Sequence, residues 1–421
     1  MRFYNKIFIF TLELMGISSM VFARSIPQHT IILKLQWAEQ QAMQYNPSVQ
    51  AARQQFRIIE DQIPQAISPQ DPTLMVDQQN ELNSPLNWNS GSNQMWMVSE
   101  HFHFPGESFA QQHVLDIREK QMREILQLTR DQVILRTRIA FWNFYLIQRL
   151  WRIWIKVRPI LNSLNLQLQS TVLKGQAVNF KNIQAQLELV QMANRYFHIQ
   201  EKFKSTQIQL SAQLNLPYST SYRLNYKIPM KRLDRSFSQE IQAALKQSPL
   251  LQIAKDQIRE ENSKKTVEWL KHFPNFSVRV YGVRNISNTG FQNFGVRVGM
   301  SLPIFFLLHQ DWQSRAIEAQ WRMAQAQLQK TKNTLMTQLA MDWERFQSAN
   351  RLFKFYESGH FRTQVHEAWQ ASWIAYQNDQ LPLKKLIQNF RTYLKMLTLY
   401  YQAKVRLEKL WAQVEYDTGN S

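Results

Sequence analysis

The sequence contains the same pattern twice. Two matching segments, NPSVQAARQQ and SPLLQIAKDQ, have their prolines at Pro47 and Pro249, 202 residues apart (249 − 47). Residues shared by the two segments keep this separation (252 − 50 = 202); they are Gln50 with Gln252, Ala52 with Ala254, and Gln55 with Gln257. A period of this length is too long for a solenoid unit. The chain is therefore predicted to be a duplicated half-protein, in which both halves do the same structural job.

Later features repeat in the same order and at similar separations. The matching pairs are Pro72 with Pro274 (274 − 72 = 202), Phe104-Pro105 with Leu302-Pro303 (302 − 104 = 198), and Lys174-Gly175-Gln176 with Asn378-Asp379-Gln380 (378 − 174 = 204). We assign residues 24–235 to the first repeat and residues 236–421 to the second.

The first 23 residues are predicted to be an export signal. Arg2 and Lys6 precede a mainly apolar run from Ile7 to Ile17, and Val21-Phe22-Ala23 fits a small-x-small cleavage site. A short N-terminal helix of the folded protein is the alternative.

The composition excludes several classes of function. The chain has no Cys, which rules out disulfides, thiolate metal sites and a Cys nucleophile. Its formal charge is +19, but the Lys and Arg are scattered among Gln and Glu, so we do not expect nucleic-acid binding. The sequence has no Gly-rich phosphate loop and no HExxH motif. We expect neither an enzyme nor a cofactor.

Each half is predicted to contain two strands, near residues 72–104 and 274–303. In the second half, apolar residues alternate with polar or small ones; the apolar row is Phe294, Val296, Val298, Met300 and Leu302. This alternation over about ten residues is typical of a membrane barrel strand with a wet lumen. A half-buried strand of a soluble sandwich fits the same pattern.

Very long helices are predicted to follow the strands. Residues 108–174 contain no Gly and a single proline, Pro159. Residues 310–357 contain neither Gly nor Pro. A helix over 108–174 would be roughly 100 Å long, and such a helix needs coiled-coil partners. Pro159 should bend the first helix, and Gly359 should weaken the second at a similar distance before its turn.

Four strands per chain cannot close the smallest membrane barrels, which need about eight. Several copies must then share one barrel, and their helices must continue it as a tube. At this point the chain resembles the TolC family of outer-membrane efflux proteins over essentially its whole mature length. The motifs that carry the resemblance are the helix starts Asn46-Pro47-Ser48 and Ser248-Pro249, the strand ends Phe104-Pro105-Gly106 and Leu302-Pro303, and the segments LKGQAVNFKNIQAQLEL and YQNDQLPLKKLIQNFRTYL.

The resemblance implies a mixed α and transmembrane β fold. It implies a homotrimer in which a shared twelve-strand β-barrel in outer-membrane lipid is continued by an α-helical tunnel through the periplasm of a Gram-negative bacterium. It also implies that the protein is a passive channel for a tripartite efflux pump or a type I secretion system, with a periplasmic adaptor and an inner-membrane pump as partners. The adaptor contacts would lie at the helical tips; the tip residues are Lys174, Gly175, Gln176, Asn378, Asp379 and Gln380. A soluble periplasmic coiled-coil scaffold or adaptor is the alternative function.

The chain departs from the family just after each tip. Known members carry acidic residues that narrow the periplasmic aperture, whereas this chain has Lys181 and Gln184 in the first half and Lys385 and Gln388 in the second. A solvated outer face for the two lysines is the alternative. Asp379 stands where the family usually has a turn glycine, and Asp tolerates the left-handed conformation moderately well.

The segment SEHFHFPGE resembles the corresponding stretch in the heavy-metal branch of the family. His101 and His103 share strand parity with Met95 and Met97, which places all four on the predicted lumen side. A metal site would need two more ligands within reach, which other copies of the chain could supply. A wet lumen strand explains the histidines equally well, so we assign no metal site.

Overall fold

A computed structural model describes residues 30–79, 93–104, 106–173, 180–224, 236–285, 290–291, 293–301 and 310–419. The predicted export signal, Pro105, Leu302-Pro303 and the first tip, Lys174-Gly175-Gln176, lie outside these residues.

The first half consists of short helices, a strand pair and a long helical hairpin. Its elements are β1 (Thr30–Ile32), α1 (Leu35–Tyr45), α2 (Pro47–Ile67), β2 (Thr73–Gln79), β3 (Asn93–Phe102), α3 (Glu107–Leu173), α4 (Phe180–Gln213) and β4 (Ser221–Arg223). The parallel pairing of β1 with β4 brings the two ends of this half together.

The second half repeats this plan. Its elements are α5 (Phe237–Gln247), α6 (Pro249–Leu270), β5 (Phe276–Asn285), β6 (Asn293–Met300), α7 (Gln310–Ser358), α8 (Phe361–Gln377) and α9 (Leu383–Thr418). In the described residues the order of helices and strands therefore recurs as the sequence duplication predicts.

The paired proline motifs mark helix starts. Asn46 caps α2, because its side chain accepts a hydrogen bond from the Ser48 N–H at 3.0 Å while Pro47 occupies the first turn. Pro249 likewise occupies the first turn of α6. The chain breaks at Asn46, so α1 and α2 are separate helices, and α2 continues through Pro64 to Ile67.

The four longer strands form one antiparallel sheet in the order β2-β3-β5-β6. The central pair, β3 and β5, joins the two halves, with Val98 opposite Val280. In the described structure β2 and β6 each have a strand on one side only, so the sheet has two edges.

The long helices extend away from the sheet. The 67 residues of α3 give a helix roughly 100 Å long, and Pro159 lies inside it without ending it. The 49-residue α7 ends at Ser358, next to the Gly359 that was predicted to weaken the helix, and α8 begins at Phe361. Among the described helices, none is both long enough and apolar enough to cross a bilayer.

Apolar clusters hold the helices of each half together. Phe141, Trp142 and Phe144 of α3 are at most 2% exposed in the cluster of the first half. Leu339 and Phe353 of α7 lie in the cluster of the second half. A third cluster joins α3, α4 and α9 nearer the tips; it includes Trp154, Met192 and Ile387.

Candidate functional site

One face of the sheet is apolar and open to its surroundings. On β6 the outward residues are 54–75% exposed; they are Phe294, Val296, Val298 and Met300. The strand register extends this row across the sheet, because Val296 lies opposite Val280 and Val280 lies opposite Val98. Leu74 of β2, opposite Val98, completes it. A contiguous exposed apolar surface of this kind marks contact with a membrane or another protein.

The other face of the sheet carries polar and basic groups. Arg297 of β6 lies directly opposite Arg279 of β5, and Arg279 in turn lies opposite Ser99 of β3. The Arg297 guanidinium lies 5.5 Å from the centre of the Tyr281 ring. A Cβ on Gly295 would come within 2.5 Å of that ring, so any larger residue there would have to displace the Tyr281 side chain. The sheet is therefore two-sided in the way that the alternating sequence predicts.

The second tip is a well-formed turn with an unusual residue. Asp379 has φ 56°, in the left-handed region. Its N–H donates to the Tyr376 carbonyl at 3.1 Å, and the Gln380 N–H donates to the Ala375 carbonyl at 2.9 Å. These two bonds form a Schellman motif, which normally has glycine at the left-handed position. The expectation that Asp379 would take this conformation is confirmed, and Asn378 precedes it as the C-cap of α8.

The four aperture candidates lie in the helices that follow the tips. Lys385 and Gln388 are exposed in the first turns of α9. Gln184 of α4 is half-buried, and its Oε1 has no hydrogen-bond partner within the described structure. Lys181 belongs to α4, but its side chain lies outside the described part of the chain. That these residues line an aperture stays a prediction.

An ion pair that the sequence did not suggest connects these two helices. Arg391 of α9 bonds both carboxylate oxygens of Glu188 of α4, at 2.6 and 2.7 Å. The pair lies about one turn beyond the aperture candidates on each helix. It joins the returning helix of the first hairpin to that of the second.

The two candidate histidines make different contacts. His101 lies in β3 opposite Ser277 and is exposed. His103 lies beyond the end of β3; its Nε2 is 3.0 Å from Gln70 Nε2, and its Nδ1 is 3.6 Å from Glu107. Among the described residues, no three His, Cys, Asp or Glu side chains form a group that could hold a metal ion.

Two buried carboxylates lie in the helices of the second hairpin, away from its tip. Asp342 of α7 and Asp417 of α9 are 2% and 5% exposed. Asp417 accepts a hydrogen bond from Gln413 at 3.0 Å, but its second oxygen has no partner in the described structure. Burial, and the carboxylate of Asp342 beside it, raise the pKa of Asp417 to about 7. A proton held on Asp417 would satisfy the oxygen that has no partner.

Solved outer-membrane channels have the same fold as this chain. The CmeC outer membrane channel of Campylobacter jejuni matches with a TM-score of 0.75 at 13% identity, over 92% of this chain and 85% of its own. The MtrE outer membrane channel of Neisseria gonorrhoeae, in its open state, gives 0.71 at 13% identity, over 91% and 88%. The outer membrane protein VceC of Vibrio cholerae gives 0.68 at 14% identity, over 91% and 96%.

No protein-family model and no curated protein matches the sequence. The similarity to the solved channels is therefore one of fold, along nearly the full length of both partners. The fold predicted from the resemblance to the TolC family is confirmed.

Proposed function

We propose that this chain is a subunit of a passive outer-membrane channel, which exports molecules delivered by an inner-membrane pump. One observation carries the proposal: a single chain joins an exposed apolar sheet face to long helices, of which α3 is roughly 100 Å long. The apolar face suits the outer-membrane lipid of a Gram-negative bacterium, and the helices suit the width of a periplasm. The outer-membrane channels that share this fold support this assignment.

The working unit is proposed to be a homotrimer. The edge strands β2 and β6 present unpaired backbone groups, which cannot stay unpaired in lipid. Pairing β6 of one copy with β2 of the next satisfies both edges. With four strands in each of three copies, the closed sheet has twelve strands (3 × 4 = 12).

The helical tips are proposed to meet the periplasmic adaptor. The second tip lies between α8 and α9, the first is expected at the corresponding end of the first hairpin, and both would reach toward the inner membrane. The proposed contact residues are Lys174, Gly175 and Gln176 at the first tip, and Asn378, Asp379 and Gln380 at the second. No nucleotide-binding motif occurs in the sequence, so transport energy would come from the pump of a tripartite efflux or type I secretion system.

The aperture beside the tips is proposed to be basic. Lys181 and Lys385, repeated in three copies, would surround the narrowest ring, with Gln184 and Gln388 one turn further along. Like charges at a constriction repel cations and concentrate anions. Arg279 and Arg297 on the polar sheet face would add positive charge at the barrel end.

Fractionation of a Gram-negative host that exports the mature chain tests this function. We expect the chain in the outer membrane, and after detergent extraction a particle with the mass of three copies. Recovery from the soluble periplasm without detergent would support the scaffold or adaptor alternative instead. A detergent-extracted monomer or dimer would contradict the trimer.

A further inference from the structure

A cleft opens where the second long helix breaks. It has a volume of about 580 Å³ and is bounded by α3, the end of α7, the start of α8 and α9. Ligand sites in proteins typically have volumes of about 300–1,000 Å³. This size therefore suits a small organic molecule.

At the break, the left-handed backbone conformation is taken by His360 and not by the neighbouring Gly359. His360 has φ 48°, while Gly359, which adopts the left-handed region without penalty, is not in it. Strain of this kind persists where surrounding structure requires it, often at binding sites. It directs the start of α8 into the cleft, where Phe361 and Arg362 line the wall.

The start of α8 is favourable for an anion. The His360 side chain makes no capping hydrogen bond to the first turn in the described structure. The first N–H groups of a helix lack partners within it and carry partial positive charge. An anionic ligand at this end would gain both hydrogen bonds and a favourable dipole.

Basic side chains converge on the same space. Arg149 from α3, Arg362 from α8 and Lys404 from α9 line the cleft together with one carboxylate, Glu357. Burial lowers the pKa of Lys404; Arg149 and Arg362 lower it as well, while Glu408 and Glu357 oppose the shift. Burial raises the pKa of Glu408 itself to about 7, which weakens the negative charge next to Lys404. The cleft lining therefore has an excess of positive charge.

Tyrosines supply the remaining wall. Tyr356, Tyr400 and Tyr401 form a ring cluster, with centroids 6.3 Å apart for the first two and 5.4 Å for the last two. Tyr400 is 8% exposed, and its ring forms part of the cleft wall. Such rings offer a large apolar contact area to the carbon skeleton of a ligand.

We propose that this cleft is a binding site for a small organic anion. Its carboxylate or phosphate group would lie between Arg362, Lys404 and the first turn of α8, and its carbon skeleton would contact the tyrosine rings. The proposal does not rest on the channel function, because it concerns binding to the chain itself.

Calorimetric titration of the full chain in detergent at low salt tests the site. The probes are 2-naphthoate, 2-naphthyl phosphate and the neutral 2-naphthamide. We expect one site per chain for at least one of the two anions and no binding of the amide. The tighter anion identifies carboxylate or phosphate as the preferred group. Lys404→Gln and Arg362→Gln should each weaken binding about tenfold, since each removes a charge-assisted hydrogen bond.

Two further variants separate the site from nonspecific attraction. Tyr400→Phe keeps the ring and removes the hydroxyl, so it should weaken binding less than the loss of a charge does. Lys354→Gln removes an exposed charge of α7 that does not line the cleft, and it should leave binding unchanged. Circular dichroism confirms that each variant is folded. Equal weakening by Lys354→Gln, binding of the amide, or binding of inorganic phosphate without either naphthyl anion would overturn the proposal.

Discussion

Arg391 and Glu188 join the two hairpins across 203 positions of sequence, because one guanidinium nitrogen of Arg391 donates hydrogen bonds of 2.6 and 2.7 Å to the two carboxylate oxygens of Glu188. The side chains are 37% and 22% exposed, so solvent screens the pair. We expect a double-mutant cycle of Glu188→Gln and Arg391→Gln to give a coupling free energy of about 0.5–1 kcal/mol in unfolding experiments. The coupling should shrink as salt rises.

The same pair should hold the tip ends of α4 and α9 together in the assembled channel. Arg391→Gln should then raise single-channel conductance in planar bilayers, because the two hairpins separate more easily. Arg322→Gln serves as a control, since the Arg322–Glu318 pair that it removes joins residues of α7 alone. Unchanged conductance in Arg391→Gln would show that the pair only stabilises the subunit.

Val296→Arg tests whether the apolar sheet face meets lipid. Val296 is 66% exposed at the middle of the apolar row. An arginine facing lipid near the bilayer centre costs about 2–4 kcal/mol. We expect Val296→Arg to reduce insertion into lipid vesicles strongly. Asn293→Arg places the same charge on the polar face of the same strand and should insert normally. Equal insertion of both variants would rule out lipid contact at Val296.

Asp417 predicts an unusual pH dependence of stability. The pKa of this carboxyl is about 7 in the folded protein, above the ordinary value of 3.8. The folded state therefore binds more protons than the unfolded state between these values, so stability falls as pH rises from about 4 to 7. Asp417→Asn should remove this loss, and it should be more stable than the original chain at pH 8 by on the order of 2 kcal/mol.

Asp131 provides the matched comparison for this experiment. Burial also raises its pKa, but Arg130 and Arg138 oppose the shift. Asp131→Asn should change the pH profile less than Asp417→Asn does. Denaturant unfolding at pH 5 and pH 8 measures both. A profile that Asp417→Asn leaves unchanged would show that the folded protein does not hold a proton on Asp417 at pH values between about 4 and 7.

Asp379→Val should destabilise the second tip. A branched side chain in the left-handed conformation costs about 1–2 kcal/mol, whereas Asp379→Gly removes the strain. Hydrogen exchange of the Gln380 amide, which closes the turn, reports the effect. We expect faster exchange in Asp379→Val and slower exchange in Asp379→Gly. Gln380→Val, outside the left-handed region, should have little effect on the turn. Identical rates in all variants would contradict this account.

Lys385→Asp tests the proposed basic aperture. If Lys385 faces the axis, the open channel should prefer anions at low ionic strength, and the substitution should shift the reversal potential in a salt gradient toward cation preference. Lys384→Asp, at the neighbouring exposed position, should shift it less. Cation preference that Lys385→Asp leaves unchanged would place these lysines on the solvated outer face.

The sequence predicted those helices and strands whose residue pattern is visible within a single segment. The alternation from Phe294 to Met300 identified β6, and the missing glycines and prolines identified α3 and α7. Helix boundaries were harder where a polar cap interrupts an apolar pattern. Asn46 divides α1 from α2 because its side chain caps the second helix, and the apolar spacing alone does not show this.

Contacts between distant segments were not predicted, because they depend on how the helices pack. The sequence shows a glutamine four residues before each of Asp342 and Asp417, at Gln338 and Gln413. It does not show that the two acids meet. Glu188 and Arg391 are separated by 203 residues (391 − 188 = 203), close to the repeat offset, so they occupy nearly equivalent positions in the two halves. The sequence alone does not show that they form an ion pair.

The two edges of the sheet have a consequence for how the protein forms. An isolated copy can complete its helices internally, since caps and apolar clusters of the same chain stabilise them. Its outer strands must wait for neighbours, because β2 and β6 find no second partner within the described chain. Maturation of the sheet should therefore be a bimolecular or higher-order event, whose rate rises with protein concentration. At low concentration, subunits with ordered helices and unfinished sheets would accumulate and would be the species exposed to proteases.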